Sequence, residues 1–203
     1  MSNVIGLCGF SGSGKDTVAD IFVKYGYKKL SFADSLKDAV SVIFGWDREM
    51  LEGKTEKSRK FRERKDKFWS KKFGRDITPR KILQEFGTEV CRDNLINTIW
   101  IDSLERKIDG NVVITDVRFK NEYQFVKDIG GTIIRVKREL PEWYDMAVLA
   151  SSGDENAIKM LNKKKVHKSE YDILCCEPSF TIQNTKGLDT LETTVKSLIE
   201  IMG

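Results

Sequence analysis

The 203-residue chain predicts an α/β fold, a mostly parallel sheet with helices on both faces. Three observations carry that expectation. Short apolar runs alternate with stretches of helical periodicity along most of the chain. The run Val112 to Thr115 lies between Asp109-Gly110-Asn111 and Asp116, as a strand buried on both faces would. Near the start, an apolar run opens through a glycine-rich loop into a helical pattern. Crossovers in such a sheet are right-handed, and ligands gather at the carboxyl ends of its strands.

The first element is Val4 to Cys8, followed by Gly9-Phe10-Ser11-Gly12-Ser13-Gly14-Lys15 and a helix. This is the order and spacing of a phosphate-binding P-loop. Glycines let the backbone turn so that successive amides point at phosphate oxygens beside the positive end of the helix. Ser11, Gly12, Ser13, Gly14, Lys15, Asp16 and Thr17 are therefore the expected ATP-binding residues, with Lys15 against the β- and γ-phosphates. Asp16 stands where the usual pattern has the Ser or Thr that holds magnesium, and Thr17 follows one place late. Either Thr17 takes over, or Asp16 reaches the ion through water. Both are hard oxygen donors of the kind Mg2+ prefers.

After the loop, Val18, Ile21, Phe22 and Tyr25 recur at helical spacing and Gly26 marks a stop. Tyr27 to Phe32 reads as a second strand. Asp34 or Ser35 can cap the next helix, whose Leu36, Ala39, Val40, Ile43 and Phe44 form one face ending near Gly45. From Trp46 to Asp76 periodicity fails, and many Lys and Arg residues mix with acids and with Phe61, Phe68, Trp69 and Phe73. This insertion, about 46–77, is expected to be solvated, salt-bridged and outside the core, covering the active site. A basic, aromatic-bearing nucleic-acid surface is the alternative.

Thr78-Pro79 is a helix start, with Ile82, Leu83, Phe86 and Val90 on the apolar face. A further helix from about Asn94 is expected to turn Leu95, Ile96, Ile99, Trp100 and Leu104 toward the core. Tyr123, Val126 and Ile129 mark another, closed by Gly130-Gly131, and Thr132 to Val136 the next strand. Leu140 to Lys165 is charged, with weak helical pattern, and reads as a mobile flap; the lid-like insertion spans about 138–170. Ser179 to Ile182 is the last strand, and Leu188, Leu191, Val195, Leu198 and Ile199 form a closing amphipathic helix. The length suits one domain over 1–203.

A net charge of +4 and a pI near 8.8 favour anionic ligands without arguing for nucleic acid. Cys8, Cys91, Cys175 and Cys176 show no metal spacing with the single histidine and read as buried, reduced thiols. Neither a signal segment nor a bilayer-spanning run is apparent, so the expected location is cytoplasmic.

The strand-end rule gathers the glycine loop, Asp34, Asp116, Arg118 and Asn184 at one edge. Phosphoryl transfer needs donor, metal and acceptor held in line with positive charge around the moving group. Lys15 can hold the donor, and Arg118, Arg80, Lys137, Arg138 and Lys168 are candidates to bind the acceptor phosphate or close over the transferred group, arginine by its bidentate fork. Asp116 can hold metal-bound water, orient Arg118, bind the acceptor's sugar, or simply cap a helix. His167 fits a surface residue or phosphate contact better than a base, and Trp100 falls at core spacing.

These residues resemble a known family. Gly-Lys-Asp-Thr at 14–17, Thr78-Pro79-Arg80-Lys81-Ile82-Leu83-Gln84-Glu85-Phe86-Gly87-Thr88-Glu89, Trp100, Thr115-Asp116-Val117-Arg118-Phe119-Lys120-Asn121-Glu122, His167-Lys168-Ser169-Glu170 and Asn184 are similar, in order, to the bacteriophage-type deoxynucleoside monophosphate kinases. The resemblance implies a three-layer P-loop kinase fold with a five-stranded parallel sheet, a helical acceptor-binding arm and a lid. It implies transfer of the γ-phosphoryl of ATP, with Mg2+, to a deoxynucleoside monophosphate, by a homodimer. By position, Lys15, Asp116 and Arg118 become catalytic candidates; Lys37, Arg80, Trp100, Asp116, Arg118 and Glu122 acceptor-binding ones; and Asn184 a neighbour of the adenine. No motif in Leu140 to Lys165 identifies lid arginines. A kinase resembling dephospho-coenzyme A kinase, and a nucleotide-gated nucleic-acid-binding protein, are the alternatives.

Overall fold

A computed structural model describes residues 3–202. Its strands are β1 (Val4–Cys8), β2 (Lys28–Leu30), β3 (Val112–Ile114), β4 (Thr132–Lys137) and β5 (Phe180–Gln183). Its helices are α1 (Lys15–Lys24), α2 (Ala33–Phe44), α3 (Glu56–Glu63), α4 (Lys67–Phe73), α5 (Pro79–Glu85), α6 (Ile99–Glu105), α7 (Lys120–Asp128), α8 (Tyr144–Ser151), α9 (Glu155–Lys163) and α10 (Leu188–Met202). The chain forms two compact units. One is built from the chain up to Ser31 together with Lys107 onward, the other from Phe32–Arg106.

The first unit holds a five-stranded, all-parallel sheet in the order β2-β3-β1-β4-β5. Strand β1 is central and wholly buried, which its unbroken apolar sequence requires. Ile5, Leu7, Val113, Ile134, Val136 and Ile182 pack on one face against α1 (Val18, Ile21, Phe22) and α10 (Leu191, Val195, Leu198). On the other face α7 closes so tightly that a Cβ on Gly6 would meet Ile133, Val117 and Val126 at 2.8–3.3 Å. Helix, sheet and helix make the three-layer α/β architecture expected.

The hairpin α8–α9 departs from expectation. Leu140 to Lys165 reads as a polar flap, yet Ala147, Ala150, Ala157, Leu161 and Tyr171 form a separate small core, with Trp143, Met146 and Ile158 against it. Four of these core side chains come from α8 and α9, and three of the four are alanines. Small residues give a weak periodic signal, although they let helices approach closely.

In the second unit, α2 begins at Ala33 behind Phe32, without the side-chain cap expected of Asp34 or Ser35. Helix α5 starts as its sequence predicts, Thr78 accepting from the amide of Lys81 and Pro79 in the first turn. It continues into a π-helical stretch, Phe86–Arg92. The altered period turns Val90 outward, and α6 begins only at Ile99, leaving Leu95 and Ile96 exposed. The segment from Trp46 to Asp76 is not wholly outside the core either, since Trp46, Leu51 and the adjoining Ile77 are buried. Its rings pack on one another: Trp46, Trp69 and Phe73 surround Phe44, and the Trp69 indole donates to the Phe44 carbonyl at 2.9 Å. Its charges pair likewise, Lys60 with Glu56, Lys65 with Asp76 and Arg80 with Glu63.

Because the α8–α9 hairpin carries its own core, Leu161→Ala should cost about 2–5 kcal/mol locally. Hydrogen exchange over 144–163 is expected to speed up while amides of β1, β3 and β4 keep their protection.

Candidate active site

The P-loop leaves the tip of β1 between β3 and β4. Gly9 is required there, because a Cβ would lie 2.3 Å from the Val136 carbonyl of β4. Gly14 lies at φ 98° beside Asn184, whose amide would be 2.2 Å from an added Cβ. Asn184 follows β5, its backbone N–H bonded to Lys137 O at 2.7 Å, and its side chain donates to Ser13 O at 2.9 Å. It therefore braces the back of the phosphate loop.

The Lys15 amine folds over its own loop and donates to Gly9 O and Phe10 O, both at 2.8 Å. Burial, then the nearby Arg118 guanidinium, pull its pKa from the usual lysine range to about 8, against the opposing pull of Glu170, Asp16 and Cys8. The Ser13 hydroxyl is 4 % exposed as a residue and its Oγ has no hydrogen-bond partner among the described residues. A buried orphan hydroxyl beside a desolvated lysine is a site built for an acceptor-rich anion. Ser11, Gly12, Asp16 and Thr17 are exposed around it.

Asp16 pairs with Lys29 at 3.0 Å, a partner its sequence neighbourhood does not reveal. Asp16 and Thr17 offer one carboxylate and one hydroxyl, both solvent-facing. Such a sparse set of hard oxygens fits Mg2+, which keeps most of its shell as water and substrate phosphate. Among the described residues no cluster of three His, Cys, Asp or Glu side chains could form an all-protein metal cage.

Beyond β3 the backbone stays in register. Val117 donates to Leu7 O at 3.0 Å, so the Asp116-Val117-Arg118 turn leaves the sheet beside the loop. Asp116 accepts from the Ser31 hydroxyl at 2.7 Å, at the tip of β2. Glu122, an acceptor-binding candidate, is 2 % exposed and takes the amides of Arg118 and Phe119 at 2.7 and 3.0 Å. In this structure it shapes the turn that presents Arg118 and has no surface of its own. The Arg118 Nη1 donates to Glu170 Oε1 at 2.8 Å. Burial works against the guanidinium charge, but Glu170, Asp116 and Glu122 together raise its pKa. Glu170 lies within the His167-Lys168-Ser169-Glu170 motif, but nothing in its spacing points to Arg118, 52 residues away.

His167 is spent on its own turn, Nδ1 accepting from Ser169 N at 3.2 Å and lying 2.9 Å from that serine's hydroxyl. Lys168 is exposed beside Asp172. The cysteines are all free, but Cys175 is exposed, which corrects the expectation that each is buried.

The other candidates belong to the second unit. Lys37 is held by Glu52 at 2.9 Å and, more distantly, by Asp34, which also faces Arg48. Burial would push the Glu52 carboxyl up, yet Lys37 and Arg48 hold it at about 2. Trp100 is 6 % exposed, its indole N–H donating to Gly87 O at 2.9 Å, so it is a core side chain here. Arg80 instead lines an open depression of about 520 Å³ with Glu56, Arg59, Lys60, Glu63 and Arg64.

A parallel sheet with a P-loop at its central strand, a desolvated lysine and an arginine beside it defines a P-loop phosphotransferase. The family model for deoxynucleotide monophosphate kinase matches residues 48–150. A putative deoxynucleotide monophosphate kinase of Acanthamoeba polyphaga mimivirus is 33 % identical over 192 residues, covering 85 % of this chain and 95 % of the relative. The deoxynucleoside-5'-monophosphate kinase of Escherichia phage T5 is 31 % identical over 183 residues, 63 % of this chain and 73 % of that one. Among solved structures, the dephospho-CoA kinase of Campylobacter jejuni is similar over 99 % of this chain and 97 % of its own, at 16 % identity and a TM-score of 0.43, a likeness too slight to bear on substrate. The chain belongs to the deoxynucleotide monophosphate kinase family. No helix of the described residues is long and apolar enough to cross a membrane.

An amine that binds phosphate must be charged, and burial, then Arg118, lowers the Lys15 pKa to about 8. ATP affinity should therefore fall as pH rises through about 8, well before the usual lysine range. Calorimetric titration across pH 6.5–9.5 checks this at about one-unit steps.

Proposed function

We propose that this protein transfers the γ-phosphoryl group of ATP to a deoxynucleoside monophosphate, giving the diphosphate and ADP. The observation that carries the reading is the orphaned Ser13 hydroxyl within a loop already closed by Lys15, with the Arg118 guanidinium within electrostatic reach. Membership of the family supports the choice of acceptor.

On this reading ATP draws the Lys15 amine off the Gly9 and Phe10 carbonyls onto β- and γ-phosphate oxygens, while the loop amides and Ser13 take the remaining lone pairs. Arg118 lies against the transferred group. An oxygen of the acceptor's 5'-phosphate attacks the γ-phosphorus, and the bond to the bridging oxygen of ADP breaks. The acceptor needs no base, because a phosphate monoester is largely dianionic at neutral pH. Asp116 lies within electrostatic reach of Arg118 and favours its charge. Mg2+, held by Asp16 or Thr17, would neutralise charge on the donor phosphates.

Among the second-unit candidates for the acceptor phosphate, Arg80 is the least committed to other partners. Lys37 is committed to Glu52 and Trp100 to Gly87, whereas Arg80 faces an open basic depression and exchanges only Glu63 for phosphate. A homodimer belongs to the same proposal. The nucleic-acid alternative loses support from Trp46 and Trp69, which pack on Phe44, although Phe68 and Phe73 are exposed.

The test is ADP release with ATP and Mg2+ against the four deoxynucleoside monophosphates, their ribose counterparts and dephospho-coenzyme A. Turnover of a deoxynucleotide is expected; turnover of dephospho-coenzyme A alone, or oligonucleotide binding without turnover, would overturn the reading. Lys15→Ala should reduce kcat/KM by about 10²–10³-fold without unfolding the protein. Arg118→Ala should lower kcat by about 10³-fold and leave ATP binding within a factor of about two, as a residue acting on the moving group must.

A further inference from the structure

The Arg118 turn is fixed in two parts. Its backbone is held by Glu122, which accepts from the amides of Arg118 and Phe119 and leaves the side chain unconstrained. The guanidinium is held separately, through Nη1 to Glu170. A long arginine side chain loses about 2 kcal/mol of rotamer freedom when ordered, so a guanidinium that must meet a developing charge benefits from a partner in place before substrate arrives. We infer that Glu170 is the positioning residue for Arg118, and that the α8–α9 hairpin is what holds Glu170 in place. The inference rests on the role in phosphoryl transfer proposed for Arg118.

The surroundings of Glu170 support this. Its side chain is 19 % exposed, against 36 % for Arg118, so the pair is shielded from much of the screening that weakens surface ion pairs. It sits on a single turn, Lys168–Glu170, capped by His167. The next residue, Tyr171, is buried in the hairpin core with Ala147, Ala150, Ala157 and Leu161. The one after, Asp172, accepts from the amide of Lys120 at 3.0 Å, at the start of the helix that carries Glu122. The hairpin's other end reaches the P-loop, where Phe10 stands edge-on to Trp143 and Tyr144 at centroid distances of 5.3 and 5.9 Å. One small element thus touches both the phosphate loop and, through Glu170, the arginine.

Glu170 engages one of the guanidinium's nitrogens, and the fork has five N–H donors. The remaining edge can take phosphate oxygens without releasing the carboxylate. This differs from a general base, which would act on the acceptor whether or not Arg118 were present.

A double-mutant cycle on the full-length protein separates these roles. Glu170→Gln is expected to lower kcat on the order of 10²-fold with the KM for ATP nearly unchanged, and Glu170→Asp to recover part of that loss. In an Arg118→Ala background, Glu170→Gln should cost less than about twofold, since the two act as one unit. Full, multiplicative losses in the double variant, or an unaffected kcat in Glu170→Gln, would overturn the inference. A second measurement does not depend on the acceptor: the Arg118 Nε–H resonance, identified by its absence in Arg118→Ala, should be sharp in the wild type and in Glu170→Asp and broadened in Glu170→Gln. A resonance unchanged in Glu170→Gln would also refute positioning. If the wild type phosphorylates no deoxynucleotide, the proposed function fails, and the resonance still decides the role of Glu170.

Discussion

Two like charges, Lys15 and Arg118, are held within electrostatic reach of each other at the tips of adjacent strands, and much of the first unit manages that repulsion. The sheet imposes it. Val4 pairs with Val112 in parallel register, and Val117 continues the ladder onto Leu7, so both strand ends deliver their cations to the same place. Without an anion, the amine is satisfied by two carbonyls and the guanidinium by one carboxylate. The two carbonyls carry no full charge, and burial, then the Arg118 guanidinium, leaves the lysine pKa depressed.

The acids around this centre divide the work by location. Glu122, wholly buried, fixes backbone; Glu170, at the margin, fixes a side chain; Asp16, in solvent, keeps its carboxylate against Lys29. The charged segment of the second unit follows a different rule. There Lys37, Arg48 and Glu52 are mutually satisfied, as are Arg75 and Glu85, so part of the charge there is structural. Arg59 and Arg64 are the contrast, one donating to a backbone carbonyl and the other lying over the Phe61 ring.

The five strands and the P-loop were legible because each depends on short-range pattern: an apolar run of the right length, or glycines at fixed spacing beside lysine. Thr78-Pro79 was legible for the same reason. What sequence could not show is set by contacts distant along the chain or by a change of period. The π-helical turn at Phe86–Arg92 rotates Val90 out of a face that its α-helical spacing places inward. Glu122 looks like a surface acid at a helix start until its carboxylate is seen beneath the Arg118 turn. Glu170 needs the fold to bring it to Arg118. Trp46, Leu51 and Ile77 lie among charges that mask their burial.

The hairpin α8–α9 has a consequence of another kind. It satisfies its own apolar residues, and it meets the phosphate loop at Phe10 and the arginine turn just before Tyr171. Such an element can be lengthened, recomposed or exchanged with little effect on the sheet, provided those two junctions are kept. The part of the molecule that meets both the phosphate loop and the arginine turn is thereby also a replaceable module, open to alteration without rebuilding the sheet beneath it.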